Sequence, residues 1–141
     1  MILVSACLLG VDCKYNGKNN LNLEVLELLK GKEYTPVCPE QLGGLMTPRK
    51  PAEIREGKVI NNEGVDVTQE FEKGARETLK IKEIFNAEFA ILKEGSPSCG
   101  SGKIYNGKFE GKKIEGKGIT VRLLEENGVK VCSEENFKEL F

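Results

Sequence analysis

An α/β fold, with a mostly parallel sheet of about four strands flanked by helices, is the class this sequence predicts. Two observations carry it. Short apolar runs alternate with amphipathic stretches along the chain, and the intervening segments are long enough to cross from one parallel strand to the next. Right-handed crossovers then put helices on both faces of the sheet. At 141 residues, with 39% apolar and 30% charged side chains, the chain is expected to be one domain over residues 1–141. A domain of this size buries roughly two-thirds of the surface its unfolded chain exposes, enough to fold without covalent staples.

The elements follow in order. Ile2 to Ala6 is a short apolar run leading into Cys7 and reads as the first strand. Leu21 to Leu29 reads as a helix, with Leu21, Val25, Leu28 and Leu29 on one face and Gly31 just past its end. Asn16-Gly17 and Asn19-Asn20 supply the turn between the two. Tyr34 to Val37 is a second strand, stopped by Cys38-Pro39 because proline cannot donate to a ladder. Gln41 to Pro51, punctuated by Gly43, Gly44, Pro48 and Pro51, is expected to be an irregular loop.

Glu53 to Arg55 and Lys58 to Ile60 flank Glu56-Gly57 as a small hairpin of peripheral role. Thr68 is expected to cap the longest helix, with Phe71, Ala75, Leu79 and Ile81 facing inward. Ala87 to Leu92 is a third strand running into the loop Lys93-Glu94-Gly95-Ser96-Pro97-Ser98-Cys99-Gly100. Asn106-Gly107 is expected at the centre of a two-residue hairpin turn spanning Ile104 to Phe109. Ile119 to Glu126 is a helix ended by Gly128, Val129 to Cys132 a fourth strand, and Ser133 to Asn136 the cap of a short terminal helix.

Composition removes several classes of function. Lysine and arginine number 21 against 22 acidic residues, a net charge of -1, so no overall field draws the chain to nucleic acid or an anionic membrane. No apolar run approaches the roughly 18 residues that span a bilayer, and the first residues lack a signal-peptide pattern, so a cytoplasmic location is expected. Histidine and tryptophan are absent, which excludes a Ser-His-Asp triad, a histidine-ligated zinc and an imidazole proton shuttle. No dinucleotide or Walker fingerprint opens a helix. The chemistry must rest on cysteine, carboxylate, hydroxyl or lysine.

Five cysteines in a chain without secretory features are expected to stay reduced. Cys7 ends the first expected strand, Cys38 the second, Cys99 lies in the loop leaving the third, and Cys132 is within the fourth. In open parallel sheets the carboxyl ends of the strands form the ligand crevice, so Cys7, Cys38 and Cys99 can converge there, with Cys13 within reach. Free cysteine is also a common buried side chain, and that reading is preferred for Cys132 beside Val131. Cys38 and Cys99 sit instead in loops shaped by proline and glycine, which packing does not require. No Cys-x-x-Cys pair is present, so zinc knuckles and dithiol redox sites lack their usual spacing. An iron–sulfur cluster is permitted by ligands from separate strand ends, and zinc stays open.

Other groups have two readings each. Glu40, next to Cys38-Pro39, is a candidate general base toward water or a solvated loop glutamate. Ser96 and Ser98 bracket Pro97 and can bond a substrate heteroatom or only stabilise the turn. Lys93 and Glu94, which close the third strand near the crevice, and Arg49 and Lys50 read as surface charges by default, with an anion site as the alternative, and the lysines of 103–117 as a solvated hairpin surface rather than a mobile lid.

Four blocks taken together carry a resemblance. They are Ser5-Ala6-Cys7-Leu8-Leu9-Gly10 with Cys13-Lys14-Tyr15-Asn16-Gly17; Pro36-Val37-Cys38-Pro39-Glu40 with Gly43-Gly44-Leu45 and Pro48-Arg49; Leu92-Lys93-Glu94 with Ser96-Pro97-Ser98-Cys99-Gly100; and Gly118-Ile119-Thr120. In their order and spacing the chain resembles the DUF523 family, which includes thiouracil desulfidases. The resemblance implies a Rossmann-like domain holding a [4Fe-4S] cluster through Cys7, Cys38 and Cys99, with one iron open to the sulfur of a thiolated pyrimidine. Cys13 is an additional thiol that is either an alternative ligand or a fourth one. It further implies non-redox, hydrolytic desulfuration of a thiolated base or nucleoside, with Glu40 as acid/base and Ser96 or Ser98 as the polar contact. The competing readings are a desulfidase for another thio-compound and a non-catalytic iron–sulfur or zinc module.

Overall fold

The computed structural model describes the whole chain, Met1–Phe141. Its elements in chain order are β1 (Ile2–Ser5), α1 (Leu23–Leu29), β2 (Tyr34–Val37), α2 (Pro39–Leu42), β3 (Ala52–Arg55), β4 (Lys58–Asn61), α3 (Thr68–Phe85), β5 (Phe89–Ile91), β6 (Lys103–Tyr105), β7 (Lys113–Glu115), α4 (Ile119–Glu126) and β8 (Lys130–Cys132). Single 3-10 turns follow β1 at Ala6–Leu9 and close the chain at Phe137–Glu139. The central sheet is wholly parallel, in the order β2, β1, β5, β8, as expected.

Alternation along the central strands divides the core in two. Leu3, Ala90 and Leu92 pack with Val121 and Leu124 of α4, with Leu79 and Ile81 of α3 against them. Ile2, Val4 and Ile91 pack on the other face with Val25 and Leu29 of α1 and with Phe137. Every residue of β1 is buried, as a strand covered on both faces must be. The placement of the helices follows from handedness. The step from β1 to β2 runs one way across the sheet, and the steps from β2 to β5 and β5 to β8 run the other. One hand for all crossovers therefore puts α1 opposite α3 and α4. Strand order reverses beside β1, so the crevice opens at the carboxyl ends of β1 and β5.

Several boundaries differ from expectation for local reasons. α1 begins at Leu23 because the Asn22 side chain accepts the Val25 N–H at 3.0 Å, which leaves Leu21 outside the helix and exposed. Val67, not Thr68, is the N-cap of α3, and the Thr68 hydroxyl instead accepts the Val59 N–H at 2.8 Å, tying the helix to β4. α3 runs on to Phe85 and ends at Asn86, whose φ of 54° is left-handed. The expected two-residue turn at Asn106-Gly107 is the start of a longer loop, 106–112, between β6 and β7.

The loop expected from Gln41 opens instead with a turn of helix, α2, whose first residue is Pro39. Two glycines explain its position. A Cβ on Gly43 would overlap the Glu70 carbonyl oxygen, and one on Gly74 would overlap the Pro39 carbonyl oxygen, so α2 and α3 meet backbone to backbone. The segment that carries Cys38 and Glu40 is thereby set against the longest helix. No helix is long and apolar enough to cross a membrane.

Candidate functional site

A cavity of about 390 Å³ opens at the carboxyl ends of β1, β2 and β5. Its floor comes from the strand ends and its outer wall from the two hairpins. Cys7, Cys13, Cys38, Cys99, Glu40 and Ser96 all line it. Residues far apart in the chain therefore meet where the strand order reverses, as expected of this class.

Each thiol is held by its own backbone device. Cys7 rides on the 3-10 turn after β1, and its carbonyl accepts the N–H of Asn20 at 2.9 Å. Burial pushes its pKa up, opposed by a hydrogen bond with the Asn20 side chain. Cys38 stands at the head of α2, its sulfur 3.8 Å from the Cys13 carbonyl. Hydrogen bonding to the Cys13 thiol lowers the Cys38 pKa to about 7, with help from the Gln41 N–H and the Arg49 guanidinium and against burial. Cys13, only 2% exposed, is correspondingly pushed up and keeps the proton of the pair. Cys99 is buried and its pKa raised by that burial. Its loop is pinned by Ser96 Oγ, which accepts the N–H groups of Ser98 and Cys99, each at 3.0 Å.

Glu40 Oε1 pairs with Arg49 Nε at 2.9 Å, and Ser96 Oγ lies 3.5 Å from Glu40 Oε2. Arg49 also donates to Thr47 Oγ1 at 2.9 Å and to the Cys13 carbonyl at 2.8 Å. One guanidinium thus ties together the carboxylate, the Thr47 turn and the Cys13 loop. Ser98 is not part of the cavity. It is buried, with its hydroxyl 2.9 Å from Thr120 Oγ1, where it anchors the start of α4. Cys132 belongs to the core as expected, its sulfur against the Ala90 carbonyl at 3.5 Å and its pKa pushed up to about 12 by burial.

Four charged residues that read as surface or peripheral groups are structural parts of the site. Arg49 is one. Lys93 Nζ, facing the cavity, reaches Glu134 Oε2 at 2.9 Å and the Glu94 carbonyl at 2.8 Å. Glu94 Oε1 accepts the N–H groups of Ser101 at 2.9 Å and of Gly102 and Lys103 at 3.1 Å. Burial alone would raise the Glu94 pKa, but these donors together with the Gly95 N–H carry it below the usual carboxylate value. Glu53 belongs to the β3–β4 hairpin, which is no peripheral ornament. Its Oε1 accepts the N–H of Gly107 at 3.0 Å and of Phe109 at 3.2 Å, while Arg55 donates twice to the Gly107 carbonyl, at 2.9 and 2.7 Å. The two hairpins are locked together and Glu53, Tyr105 and Phe109 face the cavity. Pro48-Arg49 and Leu92-Lys93-Glu94 stand in the blocks that carry the family resemblance, whereas Glu53 has no signal in the sequence beyond a charge in a short strand.

No three cysteine or carboxylate side chains are grouped as the ligands of a single ion would be. The thiols instead surround a cavity, near enough that Cys7 and Cys38 each raise the proton affinity of Cys99. Soft donors spaced around a hollow fit a polynuclear cluster, in which each thiolate attaches to a different iron.

Comparison with known proteins agrees with this geometry. The model of the 2-thiouracil desulfurase family matches residues 2–136. A Bacillus subtilis (strain 168) relative, the uncharacterized protein YbbK, is 45% identical over 150 residues, covering 99% of each chain. Among solved structures, the [4Fe-4S]-dependent thiouracil desulfidase TudS (DUF523Vcz) superposes with a TM-score of 0.93 at 46% identity. That match covers 99% of this chain and 93% of the other.

Proposed function

Because the chain belongs to the 2-thiouracil desulfurase family, we propose that it is a [4Fe-4S]-dependent desulfidase that replaces the sulfur of a thiolated pyrimidine base by oxygen. The observation that carries the reading is the meeting of Cys7, Cys38 and Cys99 with the Glu40–Ser96 pair in one cavity. The three cysteines would hold the cluster. When bound, it supplies a thiophilic Lewis acid for a thiocarbonyl sulfur, which hard cations bind poorly. Cys13 lies beside Cys38, its carbonyl 3.8 Å from the Cys38 sulfur, and is not counted among these three.

The remaining work falls to the side chains. Glu40 accepts a proton from water and so aims its oxygen at the thiocarbonyl carbon. Arg49 keeps that carboxylate in one orientation through a short, largely buried contact. Ser96, whose hydroxyl is already fixed by two backbone N–H groups and lies next to Glu40, positions the water or the substrate heteroatom. Water adds at carbon, the C–S bond breaks, and sulfide leaves with the protons of water. Carbon keeps its oxidation state, so no electron donor is required.

Lys93 adds a cation on the side of the leaving sulfur, near Cys7. The cavity admits a single base or nucleoside, which suits a chain with no broad basic surface. The test is anaerobic reconstitution followed by assay of sulfide released from a panel of thiolated bases and nucleosides. Iron and inorganic sulfide near four each per chain, with sulfide release from a thiouracil, are the expected result. One zinc with no sulfide, or a full cluster that releases sulfide from no thiolated base, overturns it.

A further inference from the structure

The hairpin wall contains a carboxylate whose bonding is half complete. Glu53 is 8% exposed, lines the cavity and has both of its hydrogen bonds on one oxygen, from Gly107 N and Phe109 N. Its other oxygen has no partner within the protein, and none of the salt bridges reaches it. Arg55, two positions along the same strand, spends its guanidinium on the Gly107 carbonyl instead. No buried side-chain oxygen in the protein lacks a partner, so the second Glu53 oxygen is open to the cavity and free to accept a hydrogen bond from whatever fills it.

From this we infer that Glu53 is the specificity residue for the base, accepting a hydrogen bond from a ring N–H of the substrate. The inference rests on the desulfidase reading for the identity of that substrate. A thiolated pyrimidine presents N–H groups beside its thiocarbonyl, which a carboxylate accepts and which a carbonyl or thiolate on the same wall serves less well. Tyr105 and Phe109, on the same wall, offer ring faces and edges to a flat heterocycle. The division of labour is then spatial. The strand-end floor takes the sulfur and the hairpin wall reads the nitrogen edge, so the base is held across the cavity between the two. A ring nitrogen carrying a methyl group has no proton for Glu53 and is rejected.

The Glu53→Gln substitution tests the contact without cutting the wall. The amide oxygen of glutamine continues to accept from Gly107 and Phe109, which turns the amide NH2 toward the open side. An acceptor becomes a donor. The probes are uracil, 1-methyluracil and 3-methyluracil, titrated calorimetrically into the cluster-loaded wild-type and E53Q proteins, with sulfide release from thiouracil measured in parallel.

For the wild type, one of the two methylated bases binds at least about tenfold more weakly than uracil, the loss expected when a charged hydrogen bond disappears. In E53Q uracil affinity falls by a similar factor, the penalty for that methyl group vanishes, and KM for thiouracil rises more than kcat falls. Unchanged iron content and melting temperature show the wall intact. Equal uracil affinity in the two proteins, or equal wild-type affinity for all three bases, overturns the inference even where sulfide release is normal. Absence of sulfide release by the wild type overturns the desulfidase reading alone, and the uracil titrations still decide Glu53. Should E53Q melt early, the wild-type methylation series decides by itself.

Discussion

The floor and the wall of the cavity face one another but are built on different principles. The floor is backbone-driven: three cysteines at strand ends, with a 3-10 turn, a short helix and a serine-pinned loop aiming each sulfur. The wall is side-chain-driven: two small hairpins held together by Glu53 and Arg55 on the backbone of Gly107 and Phe109. The lesson is that a thiol-bearing floor and a hairpin wall are placed in the same crevice by different parts of the chain and held by separate hydrogen-bond networks. A change to one should therefore leave the other standing.

The largest effect should come from removing a floor thiol. Cys99→Ala is expected to abolish cluster assembly, with iron content falling below one per chain and sulfide release falling to background. The melting temperature of the cluster-free protein should fall by a few degrees at most, since Cys99 is packed in the core and alanine leaves only a small cavity. Retained iron at wild-type level would mean that Cys13 replaces it and that the ligand set is more plastic than the floor suggests. Next is Glu40→Gln, which leaves the thiols untouched and removes the proton acceptor. Cluster absorbance should persist while kcat falls about a hundredfold, the usual scale of general-base help. Wild-type turnover would end the role of Glu40.

How much of this contrast could be read from the sequence depends on which principle built each side. The parallel sheet, both of its helical faces and the gathering of Cys7, Cys38 and Cys99 were legible, because apolar periodicity and strand-end position are local properties. Cys132 is also legible as a packing residue, because it lies inside an apolar strand, whereas the role of Cys13 stays open in the sequence. The wall was not legible. Glu53, Glu94 and Arg49 are charged residues whose partners lie far away in the chain: Glu53 meets Gly107, and Arg49 meets the Cys13 carbonyl. A charge in a loop looks the same in sequence whether it faces water or a buried ring of N–H donors. Ser98 reads in the sequence as either a substrate contact or a turn stabiliser, and only its distance to Thr120 shows that its hydroxyl is already used. The Gly43–Gly74 contact likewise has no local signature, because each glycine is ordinary in its own segment.

Within the floor the thiols should also differ from one another. Hydrogen bonding to Cys13, the Gln41 N–H and Arg49 hold Cys38 near pKa 7, while burial raises Cys7, Cys99 and Cys132. In the metal-free protein iodoacetamide should therefore modify Cys38 first. Its rate should climb from pH 6 to about pH 8 as the thiolate forms and then level off, with the other cysteines at least about tenfold slower at pH 7. Peptide mass mapping after a short pulse reads this directly. Cys7 reacting first would show that exposure outweighs the field of Arg49.

The backbone contact beneath the floor can be broken without touching any ligand. Gly74→Ala pushes a methyl group into the Pro39 carbonyl, and neither helix backbone has a side chain that can yield. A loss of about 2 kcal/mol or more is expected from such overpacking, read as a lowered denaturation midpoint at constant m-value. Because α2 carries Cys38 and Glu40, the same variant should assemble its cluster more slowly. An alanine tolerated at full stability would mean that α2 can slide along α3, and that the floor is less rigid than the wall.

The smallest effect separates a cysteine that binds from one that packs. Cys132 and Cys99 are both buried and both raised in pKa by burial, so composition and exposure do not distinguish them. Position does. Cys132 sits among Val4, Ile91 and Phe137, on the sheet face away from α3 and α4, and its thiol donates to the Ala90 carbonyl. Cys132→Ala removes one sulfur from that cluster and should cost about 1 kcal/mol, near the low end for a small cavity. Iron content, sulfide release and KM should all match the wild type. Loss of iron in this variant, at unchanged far-UV circular dichroism, would bring the fifth thiol into the metal's reach and erase the boundary between the floor and the core that supports it.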